Sequence, residues 1–307
     1  MKLSIVTICR NDAAGLARTL ESTFAGQAAV DDWEQVVVDG ASTDGSFAVL
    51  DKWKDDPRLG WHVSEPDKGI YHAMNKGAAH ARGDWLLFLN AGDSLLPDVL
   101  RKVLPQLVNP DEVVHGDVIR LLGTETCPYQ ILEDADISRE MFLFTNIQHQ
   151  ATFVPTILHE SRGGYDETLS IISDWKFWLH CAVDGIRFRH IPIQVSEIQV
   201  GGLSTDPKWE QRMREEKYSV FEPVFGKAVA RRAAFPPENK PWIRGPVAEA
   251  ALHDPSLARC LRRSNDVLAG LWRCPPFRFL LRGLTAIAEF AVQLGKRIQS
   301  KQRKERP

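Results

Sequence analysis

No uninterrupted apolar run of about 18 residues occurs in the sequence, so no helix is expected to span a membrane. The N-terminus, Met1-Lys2-Leu3-Ser4-Ile5-Val6-Thr7, enters a strand-like run that is too short and too β-branched for a signal peptide. Cysteine is sparse and unpaired in pattern. Cys9, Cys127, Cys181, Cys260 and Cys274 are scattered, odd in number and form no C-x-x-C, which argues against a zinc ribbon or a disulfide framework and fits a reducing compartment. Repeats and low-complexity tracts are missing. Also missing is a glycine-rich turn after the first strand-like run. Thr7-Ile8-Cys9-Arg10-Asn11-Asp12 has no glycine, which discounts a Rossmann dehydrogenase and a sugar nucleotidyltransferase, both of which need a phosphate-cradling loop there.

What is present is ordinary in amount and uneven in charge. Over 307 residues, 44% are apolar and 25% charged, enough for a sizeable core in one large domain with an appendage, or in two domains. The net charge of −2 divides into +9 for Leu257–Pro307 and −11 for residues 1–256. In the basic part, Phe277, Leu280, Leu281, Leu284, Ile287, Ala288 and Ala291 recur at helical spacing opposite Arg278, Arg282, Glu289, Gln293 and Lys296. Such an amphipathic helix suits an anionic membrane surface, and equally the protein's own core or a second subunit of a homodimer. No nucleic-acid partner is expected. The expected location is cytoplasmic, with the tail offering a peripheral attachment to the inner face of the membrane.

Along the chain, short apolar runs alternate with helical patterns. Leu3–Ile8, Glu34–Val38, Trp61–Ser64 and Leu86–Leu89 read as buried strands. Helices are expected after Asn11-Asp12, through Phe47, Leu50 and Trp53, over Tyr71–Ala81, and after Pro97. This alternation predicts an α/β fold with a mostly parallel sheet flanked by helices, whose strand C-termini share one edge. Ligands bind at that edge in open α/β sheets. Three runs end there on charge or turn chemistry: Val38-Asp39-Gly40, Ser64-Glu65-Pro66-Asp67-Lys68-Gly69 and Leu89-Asn90-Ala91-Gly92-Asp93. Asp39, Lys68 and Asp93 are therefore expected to converge. Glu112–Leu122 is a further strand with a bulge at Gly116-Asp117, residues 124–146 read as irregular, and Gln148–Val154 and Phe188–Val200 are strand-like. Ser173 is expected to cap a helix with Asp174 in its first turn. From Lys208 the pattern is helical, with Pro236, Pro237 and Pro241 marking a linker.

Four ordered motifs carry a resemblance. Ser4-Ile5-Val6-Thr7, then Val37-Val38-Asp39-Gly40-Ala41-Ser42-Thr43-Asp44-Gly45, then Gly69-x-x-x-Ala73-Met74-Asn75-Lys76-Gly77, then Leu89-Asn90-Ala91-Gly92-Asp93 resemble the family 2 glycosyltransferases of the GT-A fold. Within them, the bacterial exopolysaccharide enzymes, colanic acid glycosyltransferases included, are the nearest in pattern. The resemblance spans about residues 3–205 and implies a GT-A domain over 1–206 with a helical C-terminal extension over 207–307.

The resemblance also implies roles. A nucleotide-sugar donor, UDP- or GDP-linked, would be bound by Thr7, Asp39, Lys68, Asn75 and Asn90. Asp39 matches the first acid of D-D-x-S-x-D and would accept hydrogen bonds from the base; the second acid is replaced by Gly40. Asn90-x-x-Asp93 stands where a D-x-D motif would hold Mg²⁺ or Mn²⁺ against the diphosphate. Asn90 offers only a neutral carbonyl oxygen, so Asp93 would be the one direct carboxylate ligand, with His149 or His190 as a further candidate. Asp174 matches the catalytic base, and Trp175 beside it offers a stacking face for a sugar. Asp117, His149 and Gln150 are acceptor-side candidates, and Gly201-Gly202-Leu203-Ser204 is a candidate closing loop. Gln211-Arg212-Met213-Arg214-Glu215 lacks the tryptophan of the Q-x-x-R-W signature of processive synthases. The implied activity is an inverting transfer of one sugar onto a saccharide acceptor, polyprenyl-diphosphate-linked by expectation. A non-catalytic nucleotide-sugar or membrane-binding module is the alternative.

Overall fold

The computed structural model describes residues 1–27, 30–122, 125–129, 137–139, 141–143, 145–199 and 206–235. The basic amphipathic stretch, the proline-marked linker and the Gly201–Ser204 loop lie outside them. Among the described residues, nine strands form one sheet. Its first half is parallel. β1 (Leu3–Cys9) sits between β2 (Trp33–Asp39) and β4 (Trp85–Phe88), and β3 (Leu59–Ser64) flanks β2. The second half contains β5 (Ser94–Leu95), β6 (Glu112–Leu122), β7 (Glu125–Tyr129), β8 (Thr152–Pro155) and β9 (Arg187–Gln199). There β8 runs antiparallel to both β4 and β6, β9 is parallel to β6, and β5 pairs antiparallel with β9. The spatial order is β3-β2-β1-β4-β8-β6-β9-β5, with β7 beside β6. β4 therefore lies on the seam between the two halves, not at the centre of a parallel block.

Alternate side chains of β4 and its exit feed two cores. Leu87 and Leu89 pack in one cluster with Leu16, Leu20 and Phe24 of α1 (Ala13–Phe24) and with Val99, Leu100 and Val103 of α3 (Val99–Val103). Leu86 and Phe88 pack in the other, with Tyr71 and Met74 of α2 (Ile70–His80), Phe177 and Trp178 of α5 (Ser173–Val183) and Phe221 of α6 (Glu210–Phe225). All four β4-run side chains are fully buried, and each contributes roughly 1.5–3 kcal/mol of burial. The sheet is thus covered on both faces, as a continuous apolar run requires.

Three expectations change. The helix through Phe47 and Leu50 is a 3₁₀ segment over Ser46–Lys52, with Phe47 exposed. Part of the stretch read as irregular is β7, which folds back on β6 as a hairpin with Leu122 opposite Glu125. The boundary at 206/207 falls inside one compact unit, Met1–Ala234. Its cause is packing: Val220 and Phe221 of α6 and Ala230 of α7 (Lys227–Ala234) belong to the same core as Tyr71 and Trp178. The bulge expected at Gly116-Asp117 is present as register shifts between β6 and β9.

Candidate active site

The site is built where the strand C-termini meet a single 3₁₀ turn, His149–Ala151. Gly92 holds φ at +100°, a conformation that costs glycine little. This turns the chain after β4 so that the Asp93 carboxylate comes back to the sheet edge. Thr19 of α1 fixes the turn: its hydroxyl lies 2.7 Å from the Asp93 carbonyl and accepts the Gly92 N–H at 3.1 Å. Arg18 reaches the Gly92 carbonyl at 3.1 Å. Asp93 is 8% exposed. Its Oδ2 accepts from the Gln150 amide at 3.1 Å and its Oδ1 from the Gln199 N–H at 3.3 Å. Burial pushes its carboxyl above the ordinary value, opposed by the Gln150 hydrogen bond and the neighbouring His149.

Asp174 lies in the first turn of α5, also 8% exposed. The Tyr71 hydroxyl lies 3.0 Å from its Oδ1 and 2.7 Å from the Ile171 carbonyl, one proton between two acceptors; Asn146 and His149 meet its Oδ2 at 3.1 and 3.3 Å. The other ring nitrogen of His149 faces the Asn90 amide at 3.3 Å. The ring of His149 thus bridges Asn90 and Asp174, one nitrogen toward each. Adjacent residues of one turn thus touch both carboxylates, Gln150 on Asp93 and His149 on Asp174. Asn90 Oδ1 is buried and has no hydrogen-bond partner among the described residues.

The start of α5 is not capped as expected. Ser173 is the first helical residue and its hydroxyl has no partner among the described residues; Ile172 is at the cap position without a side-chain cap. Glu216 of α6 does the work from outside. Its buried carboxylate accepts the N–H groups of Ser170, Ile171 and Ile172 at 2.8, 3.0 and 3.3 Å, and pairs with Arg212 at 2.8 Å. Of these donors, the Ile172 N–H is one of the orphans that the helix N-terminus leaves, and the other two belong to the turn that leads into it.

Several expected contact residues are held elsewhere. Thr7 is fully buried within the sheet, donating to the Leu89 carbonyl at 2.8 Å and accepting from Gln35 at 2.9 Å. Strand alternation turns its side chain into the sheet's interior. Asn75 is a brace: its amide bonds to the Tyr165 carbonyl, the Tyr165 N–H and Glu167 at 2.8, 2.8 and 3.0 Å. Trp175 is committed to packing. Its indole N–H donates to the Phe142 carbonyl at 2.8 Å, Lys217 sits 4.2 Å from its ring centroid, and Phe221 meets it edgewise. Asp39 is fully buried, and its oxygens accept from the Ser42 N–H, the Ser42 hydroxyl and the Ser64 hydroxyl. Lys68 is exposed on the β3–α2 loop. Asp117 pairs with His190 at 2.9 Å on the β6–β9 bulge. Tyr71, Asn146, Thr19 and Glu216 were not foreseen as site residues. Tyr71 stands within the motif region, whereas Asn146 falls in a stretch without periodicity and the others lie on helices whose facing partner the sequence does not name.

A sheet covered on both faces, with two buried carboxylates gathered near its strand ends, has the equipment for acid–base chemistry. Residues 4–164 match the model of glycosyl transferase family 2, and the chain belongs to that family and is a glycosyltransferase. It is 33% identical over 210 residues to a PGL/p-HBAD biosynthesis glycosyltransferase of Mycobacterium bovis, covering 66% of this chain and 78% of that protein. Solved structures share the fold. S. aureus TarS 1-349 in complex with UDP-GlcNAc has a TM-score of 0.57 at 15% identity, over 76% of this chain and 70% of that one. The mannosyltransferase PcManGT of Pyrobaculum calidifontis in complex with GDP-Man and Mn²⁺ has a TM-score of 0.54 at 19% identity, over 90% and 82%.

Proposed function

We propose that the chain moves one sugar from a UDP- or GDP-linked donor to a hydroxyl of a saccharide acceptor, with inversion, in the assembly of a bacterial surface polysaccharide. The acceptor in this reading is carried on a polyprenyl diphosphate. The observation that carries the proposal is the joining of Asp93 and Asp174 through one 3₁₀ turn, by Gln150 and His149. Two buried carboxylates with different surroundings suit two roles.

Asp174 takes the general-base role. The acceptor oxygen forms its bond to the anomeric carbon as the bond from that carbon to the diphosphate oxygen breaks. The electron pair of that bond leaves with the diphosphate, and the hydroxyl proton passes to Asp174. Tyr71, Asn146 and His149 orient the carboxylate; Oδ2 is engaged by Asn146 and His149, and Oδ1, met by Tyr71 alone, keeps a further lone pair for the proton. His149, Gln150 and Asp117 form the acceptor side, Lys68 and Asn90 the donor side.

The residues fit a divalent cation shared with substrate phosphates. Asp93 is a hard oxygen ligand, and the unpartnered Asn90 carbonyl oxygen offers a second. Among the described residues no cluster of three or more His, Cys, Asp or Glu could hold a metal by itself, which suits Mg²⁺ or Mn²⁺ bound mainly with the diphosphate. Such an ion neutralises the leaving group's charge. Among the described residues no helix is long and apolar enough to cross a membrane.

The test is a thermal-shift screen of nucleoside diphosphates and their sugars, with and without Mg²⁺ or Mn²⁺, followed by transfer to a lipid-linked acceptor. A specific donor raises the unfolding temperature by mass action, more so with the ion. A flat response to every nucleotide sinks the reading.

A further inference from the structure

The base of the donor needs acceptors for its N–H groups. At the end of β2, Asp39 is fully buried and three of its acceptor sites are taken by Ser42 and Ser64. A second carboxylate reaches the same strand end from the β3–α2 loop. Asp67 Oδ1 accepts the Gly69 N–H at 2.9 Å, which fixes the side chain. Its Oδ2 lies over Gly40: a Cβ at residue 40 would stand 2.4 Å from that oxygen and 3.3 Å from Arg10 Cδ. Only a residue without a side chain leaves this space to Asp67. Asp67 is half-buried, and no hydrogen bond occupies its Oδ2 among the described residues.

The position along the edge agrees. Neighbouring strands lie about 4.8 Å apart, so in the order β3-β2-β1-β4 the end of β2 is roughly 10 Å from that of β4, and the end of β3 roughly 14 Å. A donor with its diphosphate at Asp93 and extended along that edge lays its base over the ends of β2 and β3, beside Asp67 and Lys68.

We propose that Asp67, lodged over Gly40, is the carboxylate that accepts hydrogen bonds from the N–H edge of the donor's base. This rests on the nucleotide-sugar reading above. The test is calorimetric titration of the full chain with UDP, GDP and inorganic pyrophosphate in the presence of Mg²⁺. Asp67→Asn is expected to weaken the better-bound nucleotide about tenfold or more, since a charge-assisted acceptor is lost. Pyrophosphate affinity and the unfolding temperature without ligand stay at wild-type values. Gly40→Ala, whose methyl group would displace Oδ2, is expected to weaken the same nucleotide while Asp67 remains present. The proposal is overturned if Asp67→Asn binds both nucleotides like wild type, or loses pyrophosphate to the same degree. A wild-type chain that binds neither nucleotide overturns the donor reading itself.

Discussion

Asp174 and Asp93 are equally buried, but their partners differ, and so should the consequences of neutralising them. Asp174→Asn keeps the shape and removes the proton acceptor. Turnover is expected to fall by about 10²–10⁴-fold, with nucleotide affinity close to wild type, as read by transfer kinetics beside calorimetry. Asp93→Asn is expected to act on the other term: the enhancement of nucleotide binding by Mn²⁺ disappears. His159 tests a purely structural residue nearby. It is buried among Phe88, Tyr165 and Phe177, with Nε2 unpartnered among the described residues. Burial lowers its pKa from 6.5 to about 4. The unfolded chain therefore binds this proton before the folded chain does. Stability is full above about pH 6.5 and is lost as pH falls toward 4, by up to about 3 kcal/mol. Urea unfolding of His159→Phe at about pH 7 and about pH 4.5 should show a smaller acid loss than wild type. An equal loss in both would show that the acid sensitivity lies elsewhere.

At the scale of elements, the proposed base, Asp174, is positioned by a helix that the motifs do not include. α6 sends Glu216 into the N-terminus of α5, where it satisfies the N–H groups just before Asp174. Glu216→Ala leaves buried donors and Arg212 without their acceptor, and each lost buried partner costs about 1–3 kcal/mol. The expected result is a marked drop in unfolding temperature, with turnover reduced even well below that temperature because the start of α5 is no longer fixed. Glu216→Gln, which retains one acceptor oxygen, should recover part of both. The contrast with the motifs is physical. A hydrophobic run that stops at glycine and a carboxylate reports its strand and its edge, which is why Asp39 and Asp93 stand at strand ends as expected. It does not report which oxygen is already taken. Thr7, Asn75 and Asp39 have the right places in the chain, but their hydrogen bonds go to Leu89, Tyr165 and Ser42, partners distant in sequence or set by loop conformation. The Glu216 cap was illegible for the same reason: its effect needs a contact 44–46 residues away.

For the whole molecule, the uneven charge is the property that the fold leaves unused. The compact unit ends at Ala234, and the +9 balance lies wholly beyond it, in Leu257–Pro307. A transferase acting on a lipid-linked acceptor benefits from residence at an anionic surface, where each Lys or Arg near the headgroups contributes about 1 kcal/mol. The full chain is expected to sediment with vesicles containing phosphatidylglycerol and to stay in solution with pure phosphatidylcholine. Raising the salt concentration should release it, because the attraction decays within about one Debye length, ~8 Å at physiological ionic strength. Replacing Lys296, Arg297, Lys301, Arg303, Lys304 and Arg306 by Gln should lower partitioning more than about tenfold. Transfer to a short, water-soluble acceptor should be unaffected by that change, and transfer to a lipid-linked acceptor in vesicles should fall. Binding that survives both high salt and the six substitutions would place the attachment in the apolar face of the tail instead. A chain that binds neither kind of vesicle would leave the tail's apolar stripe for the protein's own core or a second subunit, which sedimentation equilibrium of the full chain distinguishes.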